Sequence, residues 1–236
     1  MKLTRVVCGV AALAALALAD EPWNKREFQS WTQEEARKIL NDSPWGKVVA
    51  TRVEYVKDAD ISHETDRGSK RMERGDPRGS DFATVVWWSA RTPRRAFLRL
   101  FQLSGNELKP EQIEQFAEAA KPNLQIALFG GGRMVDISGK LTLEELRQGA
   151  WLDHPRLKQR IAPVNVEVVK SGQRVDRIIF EFPRELNGQP VVADDEKRIV
   201  FKWKLPKTDK ETLKNAEQFE AVFDARKMRA AGQADL

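Results

Sequence analysis

The stretch that most constrains the fold of this chain is residues 81–105, which carries the densest set of large apolar side chains after the N-terminal segment. Residues 82–88 are a run of aromatic and β-branched residues, which is typical of a buried strand. Thr92 and Pro93 end the strand, because the residue before proline avoids the helical region and proline suits the first turn of a helix. An apolar helical face follows and stops at Gly105. We expect this strand–helix unit to anchor the core.

The first residues have the pattern of an export signal. Lys2 and Arg5 precede an apolar run over residues 6–18, which is too short to span a bilayer comfortably and ends in a small-x-small cleavage site. We therefore predict that residues 1–19 are a signal peptide and that the protein is exported, to the periplasm or the extracellular medium. The single cysteine, Cys8, lies near the start of the apolar run and not after it, which argues against lipidation.

The rest of the chain contains no cysteine, so its stability in an oxidising compartment must come from a hydrophobic core and not from disulfides. Lys and Arg number 40 and Asp and Glu number 35, and the formal net charge of +5 falls to +3 without the signal peptide. A mild charge with both signs intermixed is typical of a solvated surface. We therefore predict no nucleic-acid partner, and no transmembrane segment after signal removal.

The order of elements predicts an α+β fold. Capping boxes that begin at Thr32 and Thr142, together with Pro110, predict the starts of three helices besides the central one. Strands are predicted at residues 46–57, 82–88, 123–129, 133–138, 160–170, 174–182 and 198–205. We predict an antiparallel sheet, curved or sandwiched, with two or three helices packed on one side.

Three segments lack a decisive pattern. Residues 57–80 mix acids, bases and glycines with few large apolar side chains, so we predict a mobile charged loop within a single domain of residues 20–236. Residues 151–159 are predicted as a loop. Residues 216–227 fit a helical face, which local propensity favours, and also the alternation of a strand.

Two tryptophan-containing motifs and the last residues carry a resemblance. Residues 31–45 form a tryptophan-led helix that ends in Asp-Ser-Pro-Trp, and residues 86–96 form a tryptophan strand that runs into an arginine-bearing helix. Residues 219–236 share Met228, Gly232 and Leu236. Together these features resemble a set of uncharacterised exported bacterial proteins of acidobacterial type. In that set the ending is a β-hairpin, so the resemblance favours a strand over residues 216–227. It implies export and a shared architecture, with no known activity and no catalytic residue.

Residues 58–66 place oxygen-bearing side chains at alternate positions, as a calcium-binding loop does. The candidate ligands are Asp58, Asp60 and Asp66. The sixth position of such a loop requires glycine and the twelfth a bidentate acid, but here they are His63 and Ser69. A charged, solvated loop is therefore the favoured interpretation, and we predict no metal and no other cofactor.

Asp153 and His154 are the candidates for a catalytic pair, because an acid beside a histidine can orient a general base. The sequence has no Gly-x-Ser-x-Gly motif, so a nucleophile would have to come from a distant segment. The alternative is that one of the two side chains caps the local backbone.

Four arginines lie around the start of the predicted central helix. They are Arg91, Arg94, Arg95 and Arg99, which we call the arginine cluster. Basic side chains near a helix N-terminus oppose the helix dipole, which favours an anion or an acidic partner nearby. We predict that the cluster binds an anionic envelope component or an acidic protein, and the alternative is pairing with acids of the same chain.

The absence of recognisable catalytic, metal-binding and cofactor motifs from the sequence favours a non-catalytic function. The sequence has no paired nucleophile and base, no metal-ligand spacing and no cofactor fingerprint. We therefore expect an exported binding or scaffolding protein of the cell envelope. One alternative is an exported hydrolase with a site assembled around His154, which a deep pocket containing that residue would favour. Another is a carrier of an apolar ligand inside the sheet, which an oversized apolar cavity would favour.

Overall fold

The computed structural model describes residues 21–50, 52–54, 82–130, 141–154, 156, 158–204 and 216–236. Two five-stranded sheets, both antiparallel throughout, dominate this part of the chain. The predicted signal peptide, the charged loop, the strand at residues 133–138 and the candidate metal ligands Asp58, Asp60 and Asp66 lie outside the described residues.

The first sheet contains the strand of the apolar unit at residues 81–105. Its order is β1 (Gly46–Ala50), β3 (Phe82–Trp87), β4 (Leu124–Phe129), β8 (Arg174–Phe182) and β7 (Asn165–Ser171). The predicted strand over residues 174–182 is thus confirmed with the same bounds.

The second sheet combines strands from distant parts of the chain. Its order is β2 (Arg52–Glu54), β12 (Ala216–Phe223), β11 (Ile199–Lys204), β5 (Ala150–His154) and β6 (Gln159–Ile161). β1 and β2 are separated by one residue but belong to different sheets, so this part of the chain passes from one sheet to the other. Two short pairs complete the strands: β9 (Glu185–Leu186) with β10 (Gln189–Pro190), and β13 (Arg229–Ala230) with β14 (Gln233–Ala234).

The helices in the described residues are short except for the central one. They are α1 (Pro22–Lys25), α2 (Gln33–Asn41), α3 (Arg91–Leu103), α4 (Pro110–Ile113) and α5 (Leu143–Gln148), and α4 continues as a π-helical turn, Glu114–Glu118. Both predicted capping boxes are present, since Thr32 exchanges hydrogen bonds with Glu35, and Thr142 with Glu145. No helix of the described residues combines the length and the apolar character that crossing a membrane requires.

Aromatic side chains fill the space between the two sheets. Phe201 of β11 contacts Phe180 and Phe182 of β8, with ring centroids 5.4 and 6.1 Å apart. Trp87 of β3 lies 5.3 Å from Phe223 of β12. All five rings are buried, and burial of such a side chain stabilises the fold by about 1.5–3 kcal/mol. Aromatic packing therefore helps to hold the two sheets together, within a core that also contains many aliphatic side chains.

Helices cover the opposite face of the first sheet. Trp88 packs there against Phe97 of α3, Phe116 of the π-helical turn and Phe129 of β4, with centroid distances of 5.5, 5.8 and 5.1 Å. Neighbouring residues along an extended chain point to opposite faces of a sheet, so Trp87 packs between the two sheets and Trp88 packs under the helices. The architecture is the predicted α+β arrangement of sandwiched antiparallel sheets with helices packed on one side.

The prediction of a loop at residues 151–159 is wrong. Most of this segment belongs to β5, an inner strand of the second sheet, and to the start of β6. Ala150, Leu152 and His154 are buried while Trp151 and Asp153 are partly exposed, so the alternation of a strand is present. The inward positions include a small and a polar residue, which weakens the pattern that predicts a strand.

The ambiguous segment near the end forms a strand where it pairs with β11. Residues 216–223 are β12, as the resemblance favours, and Ala225–Lys227 is a 3-10 turn. Two rows of backbone hydrogen bonds, to β11 and to β2, stabilise the strand against its local preference for helix. The predicted strands over residues 46–57 and 160–170 are each divided into two separate strands.

Candidate functional site

Arg94 is buried beneath the start of α3 and is only 1 % exposed. Its guanidinium donates to four main-chain carbonyls, those of Ala90 at 3.0 Å, Ser89 at 3.1 Å, Phe116 at 2.7 Å and Ala119 at 2.9 Å. Burial lowers the pKa of Arg94 to about 10, so the group remains charged at neutral pH. Arg94 therefore ties the end of the π-helical turn to the start of α3.

Arg95 and Arg99 also bond to groups of this chain. Arg95 donates from Nε and Nη2 to the two carboxylate oxygens of Glu118, both at 2.6 Å. This bidentate pair raises the pKa of Arg95 and lowers the pKa of Glu118. Arg99 Nε donates to the carbonyl oxygen of Trp31 at 2.7 Å, which joins α3 to the segment before α2.

Asp235 supplies the negative charge at the N-terminus of α3. Its two carboxylate oxygens accept from the backbone N–H groups of Arg91 at 2.7 Å and of Thr92 at 2.8 Å. Asp235 is 7 % exposed, and its carbonyl oxygen accepts from Trp45 Nε1 at 2.7 Å. The carboxylate complements the helix dipole and caps backbone donors that the helix leaves unpaired.

Every member of the arginine cluster thus contacts a carboxylate or a carbonyl of its own chain, including Arg91, whose Nε lies 4.0 Å from Asp235. The intramolecular alternative that the sequence left open accounts for these contacts. A ligand for the cluster from outside the chain stays a prediction.

The imidazole of His154 is fully buried. Its Nε2 lies 3.3 Å from a carboxylate oxygen of Glu196, and Arg156 Nε lies 3.4 Å from the same oxygen. Burial lowers the pKa of His154 and outweighs the opposing effect of Glu196, so the imidazole is mainly neutral at pH 7. The His154 side chain therefore lies behind the surface and does not reach solvent.

Asp153 lies on the outer face of the second sheet, opposite to His154. Its carboxylate is 2.7 Å from Lys202 Nζ and 3.9 Å from Arg160 Nε. Consecutive residues of β5 point to opposite faces, so the carboxylate and the imidazole are directed apart. The structure therefore does not join these two candidate catalytic side chains in a hydrogen-bonded pair.

An open cleft of about 450 Å³ lies on the outer face of the second sheet, beside the β5–β6 hairpin. We call it the basic cleft, and it is lined by Asp153, His154, Lys158, Gln159, Arg160, Arg198, Val200 and Lys202. Asp153 is the single carboxylate among these residues and is already paired with Lys202 and Arg160. Lys158 and Arg198 are exposed and form no ion pair with other described residues. The cleft therefore carries an excess of positive charge.

Lys158 has a backbone conformation that favours glycine. Its φ is +50°, and its N–H donates to the carbonyl oxygen of His154 at 3.0 Å, which closes the β5–β6 hairpin. A side chain in the left-handed region costs about 1 kcal/mol. Strain of this kind recurs at functional positions, so the lysine is a candidate binding residue.

Sequence reasoning missed the cations of the basic cleft because they are far apart in the chain. The register of β5 with β11 places Asp153 opposite Val200, and the register of β5 with β6 places it opposite Arg160. The alternation over residues 198–205 does place Arg198, Val200 and Lys202 on one face. Because residues 151–159 are predicted as a loop, the sequence predicts no strand beside that face, whereas the structure places β5 there.

No group of three or more His, Cys, Asp or Glu side chains in the described ranges is placed to hold a metal ion. A comparison with protein-family models, with curated proteins and with solved structures finds no match to this chain.

Proposed function

We propose that this protein is a non-catalytic binding protein of the cell envelope and that its partner is an anion held in the basic cleft. The observation that carries the proposal is the convergence of Lys158, Arg160 and Arg198, from two separate segments, on one open cleft. A cleft lined by one sign of charge raises the local concentration of counter-ions and speeds their association. Export, which the N-terminal sequence predicts, would present the cleft to envelope components.

The charges in the cleft are partly preorganised. The guanidinium of Arg160 lies over the ring of Trp151, 4.7 Å from its centroid, and close to Asp153. Lys202 is held by Asp153, which leaves Lys158 and Arg198 as the cations available to a ligand. Groups that are already ordered bind at a smaller entropic cost. Salt should weaken the interaction, because these side chains are exposed to solvent.

The test is calorimetric titration of the whole mature protein with citrate, inorganic pyrophosphate and hexagalacturonate, in low salt and again in 0.5 M NaCl. We expect at least one anion to bind in low salt and to be released by high salt. The double variant Lys158→Gln, Arg198→Gln should raise its Kd at least about 10-fold, which is about 1.4 kcal/mol of binding free energy.

The matched control is the double variant Lys170→Gln, Arg174→Gln. Both residues are exposed near the turn between β7 and β8 and neither lines the cleft, so the net charge changes equally. We expect its Kd to change less than about twofold, as for a distant surface charge. Equal weakening in both double variants, or no binding of any probe in low salt, would contradict the proposal.

The hydrolase alternative receives less support from the cleft. A substrate there would meet only the main chain of His154, since the imidazole is fully buried. The residues that line the cleft include no Ser, Thr or Cys. General base catalysis needs the base within hydrogen-bond reach of the proton that it removes. The geometry therefore favours binding over hydrolysis.

The carrier alternative requires an apolar space inside the sheets. There Phe180 packs against Phe201 and Trp203, with ring centroids 5.4 and 5.8 Å apart, and all three side chains are buried. An apolar groove of about 340 Å³ does occur, but it lies between α2, α3 and the helix-covered face of the first sheet. The packed aromatic rings between the sheets therefore give the carrier alternative no support.

A further inference from the structure

We infer that the end of the first sheet at which β3 begins docks on the surface of an anionic lipid bilayer. Apolar side chains would enter the boundary between headgroups and acyl chains, and basic side chains would contact the headgroups. This inference goes beyond the proposed function and does not rest on it, because the basic cleft lies on the second sheet.

Three apolar side chains are exposed at this end, and we call them the apolar end. Phe82 of β3 is 59 % exposed, Val48 of β1 is 51 % exposed and Phe101 of α3 is 41 % exposed. Val48 pairs in register with Thr84, and Thr84 with Phe129, so these side chains share one face of the sheet. Phe82 is two residues from Thr84 and points to the same face.

An apolar groove joins the helix to these strands. Its volume is about 340 Å³, and its lining includes Phe101 together with Thr84 and Phe129. Phe101 therefore projects from α3 over the same rows of the sheet that carry the other two members of the apolar end. Apolar surface that continues across neighbouring elements in this way is typical of interaction sites, whereas single exposed apolar residues need no explanation.

Two cations lie at the same end of the sheet. β8 runs parallel to β3 with β4 between them, and Arg177 pairs with Phe129, so β3 and β8 begin at the same end. Arg174 begins β8 and Lys170 lies near it on β7; both are exposed and form no ion pair with other described residues. They are two and three strands from Phe82, about 10 and 14 Å across the sheet.

The charges around the apolar end favour an anionic surface. Each cation near an anionic leaflet strengthens binding about fivefold, and exposed rings suit the boundary between headgroups and acyl chains. A symmetric pair of copies joined through this end would instead bring like charges together. The described acids nearby each lie beside a cation: Asp42 with Lys47, Asp176 with Arg177, Glu107 two residues before Lys109, and Glu167 near Lys121.

The experiment is co-sedimentation of the whole mature protein with lipid vesicles in low salt. One set of vesicles is phosphatidylcholine alone, and the other contains about 30 % phosphatidylglycerol, which supplies the negative charge. We expect the protein to bind the anionic vesicles and to bind the neutral ones at least about tenfold more weakly. Salt at 0.5 M should weaken the binding, because the headgroup contacts are exposed to solvent.

Substitutions test the apolar end against a matched position. Phe82→Ser should weaken binding to the anionic vesicles at least about tenfold, and Val48→Ser about threefold. Val222→Ser makes the second change on the outer face of the second sheet, where the side chain is also exposed, and should change binding less than about 1.5-fold. Circular dichroism and the unfolding midpoint establish that each variant is folded.

The two cations have their own test. The double variant Lys170→Gln, Arg174→Gln should weaken binding to the anionic vesicles about tenfold, although it serves as the unaffected control for citrate. Lys158→Gln, Arg198→Gln should do the reverse, with weaker citrate binding and vesicle binding changed less than about threefold. The two double variants change the net charge equally, so total charge alone cannot produce this crossed result.

The depth of the apolar end is measured by fluorescence with brominated lipids, which quench indoles that enter the bilayer. The indole introduced by Phe82→Trp should be quenched, whereas Trp87 and Trp88 are buried in the protein. Trp151 is half-buried beside the basic cleft and reports on the second sheet. Quenching in the unchanged protein as strong as in the variant would place the second sheet on the bilayer and overturn the inference.

The remaining outcomes separate this inference from the proposed function. Vesicle binding that Lys158→Gln, Arg198→Gln removes and Phe82→Ser leaves intact would place lipid phosphate in the basic cleft and overturn docking through the first sheet. No binding to anionic vesicles, with a dimer in sedimentation that Phe82→Ser dissociates, would make the apolar end an interface between copies. Vesicle binding without citrate binding would uphold this inference and overturn the proposed function.

Discussion

The arginine cluster of α3 and the cations of the basic cleft place their positive charge in opposite environments. Arg94 and Arg95 are adjacent in the sequence and bond to carbonyls and to Glu118 of their own chain. Lys158 and Arg198 are forty residues apart and both are exposed at the same cleft. The cluster that is obvious in the sequence contributes to the helix layer, and the dispersed cations face solvent.

The difference has a physical cause. Cations near a helix N-terminus meet the positive end of the dipole, and burial adds a desolvation cost, so the fold must supply acceptors such as Asp235 and Glu118. Exposed cations such as Lys158, in the turn between β5 and β6, and Arg198, just before β11, keep their water and need no such partner. A dense run of basic residues therefore indicates a requirement for internal pairing at least as much as a binding surface.

The largest effect that we expect is on stability, from Arg94→Ala. Four carbonyls would lose their donor and a cavity would remain, so the free energy of unfolding should fall by about 3–5 kcal/mol, measured by urea unfolding. Arg94→Lys should recover only part of this loss. The lysine keeps the charge, but its ammonium lacks the planar fork that reaches several carbonyls. Arg198→Ala, the matched change at an exposed position of the basic cleft, should alter stability by less than about 0.5 kcal/mol. Equal losses at Arg94 and Arg198 would remove the contrast between the two groups.

A smaller effect is expected where a remote acid caps the arginine helix. Asp235→Ala should lower the free energy of unfolding by about 1–2 kcal/mol, and Asp235→Asn by less, since it keeps an acceptor but loses the charge. Amide hydrogen exchange should quicken at Arg91 and Thr92 in the alanine variant. The control is Asp194→Ala, at an exposed acid, which should leave both measurements near those of the unchanged protein. Unchanged exchange at Arg91 and Thr92 would show that the cap is not needed.

The smallest expected effect is a pH dependence from His154 behind the cleft. Burial lowers its pKa in the folded protein below the ordinary value of 6.5, so the unfolded chain binds more protons as the pH falls through that value. Its contribution to stability is thus fully present above pH 6.5, declines below it and levels off below the folded-state pKa. Urea unfolding at pH 7.5 and 5.5 should show a smaller decline for His154→Gln than for the unchanged protein. Identical declines in the two proteins would contradict this assignment. Arg94 contributes no pH dependence here, because it stays charged between pH 5.5 and 7.5.

Local hydrogen bonds and short-range patterns determined much of the fold. The capping boxes at Thr32 and Thr142 join residues three positions apart, and the strand–turn–helix unit that begins at Phe82 is one continuous stretch of the chain. Such features depend on neighbours in the chain, so they can be predicted from the sequence. The α+β class followed from them, while the predicted export signal lies outside the described residues.

The tertiary structure alone decided which strands and charges meet. β5 is stabilised by pairing with β6 and β11, and its central Asp153 lies between Arg160 and Val200, which no local pattern indicates. The same pairing places Lys158 and Arg198 in the lining of one cleft. Backbone hydrogen bonds between distant strands, together with aromatic packing of the two sheets, set this register. A site assembled by register is therefore invisible in the sequence, even though each of its residues is present there.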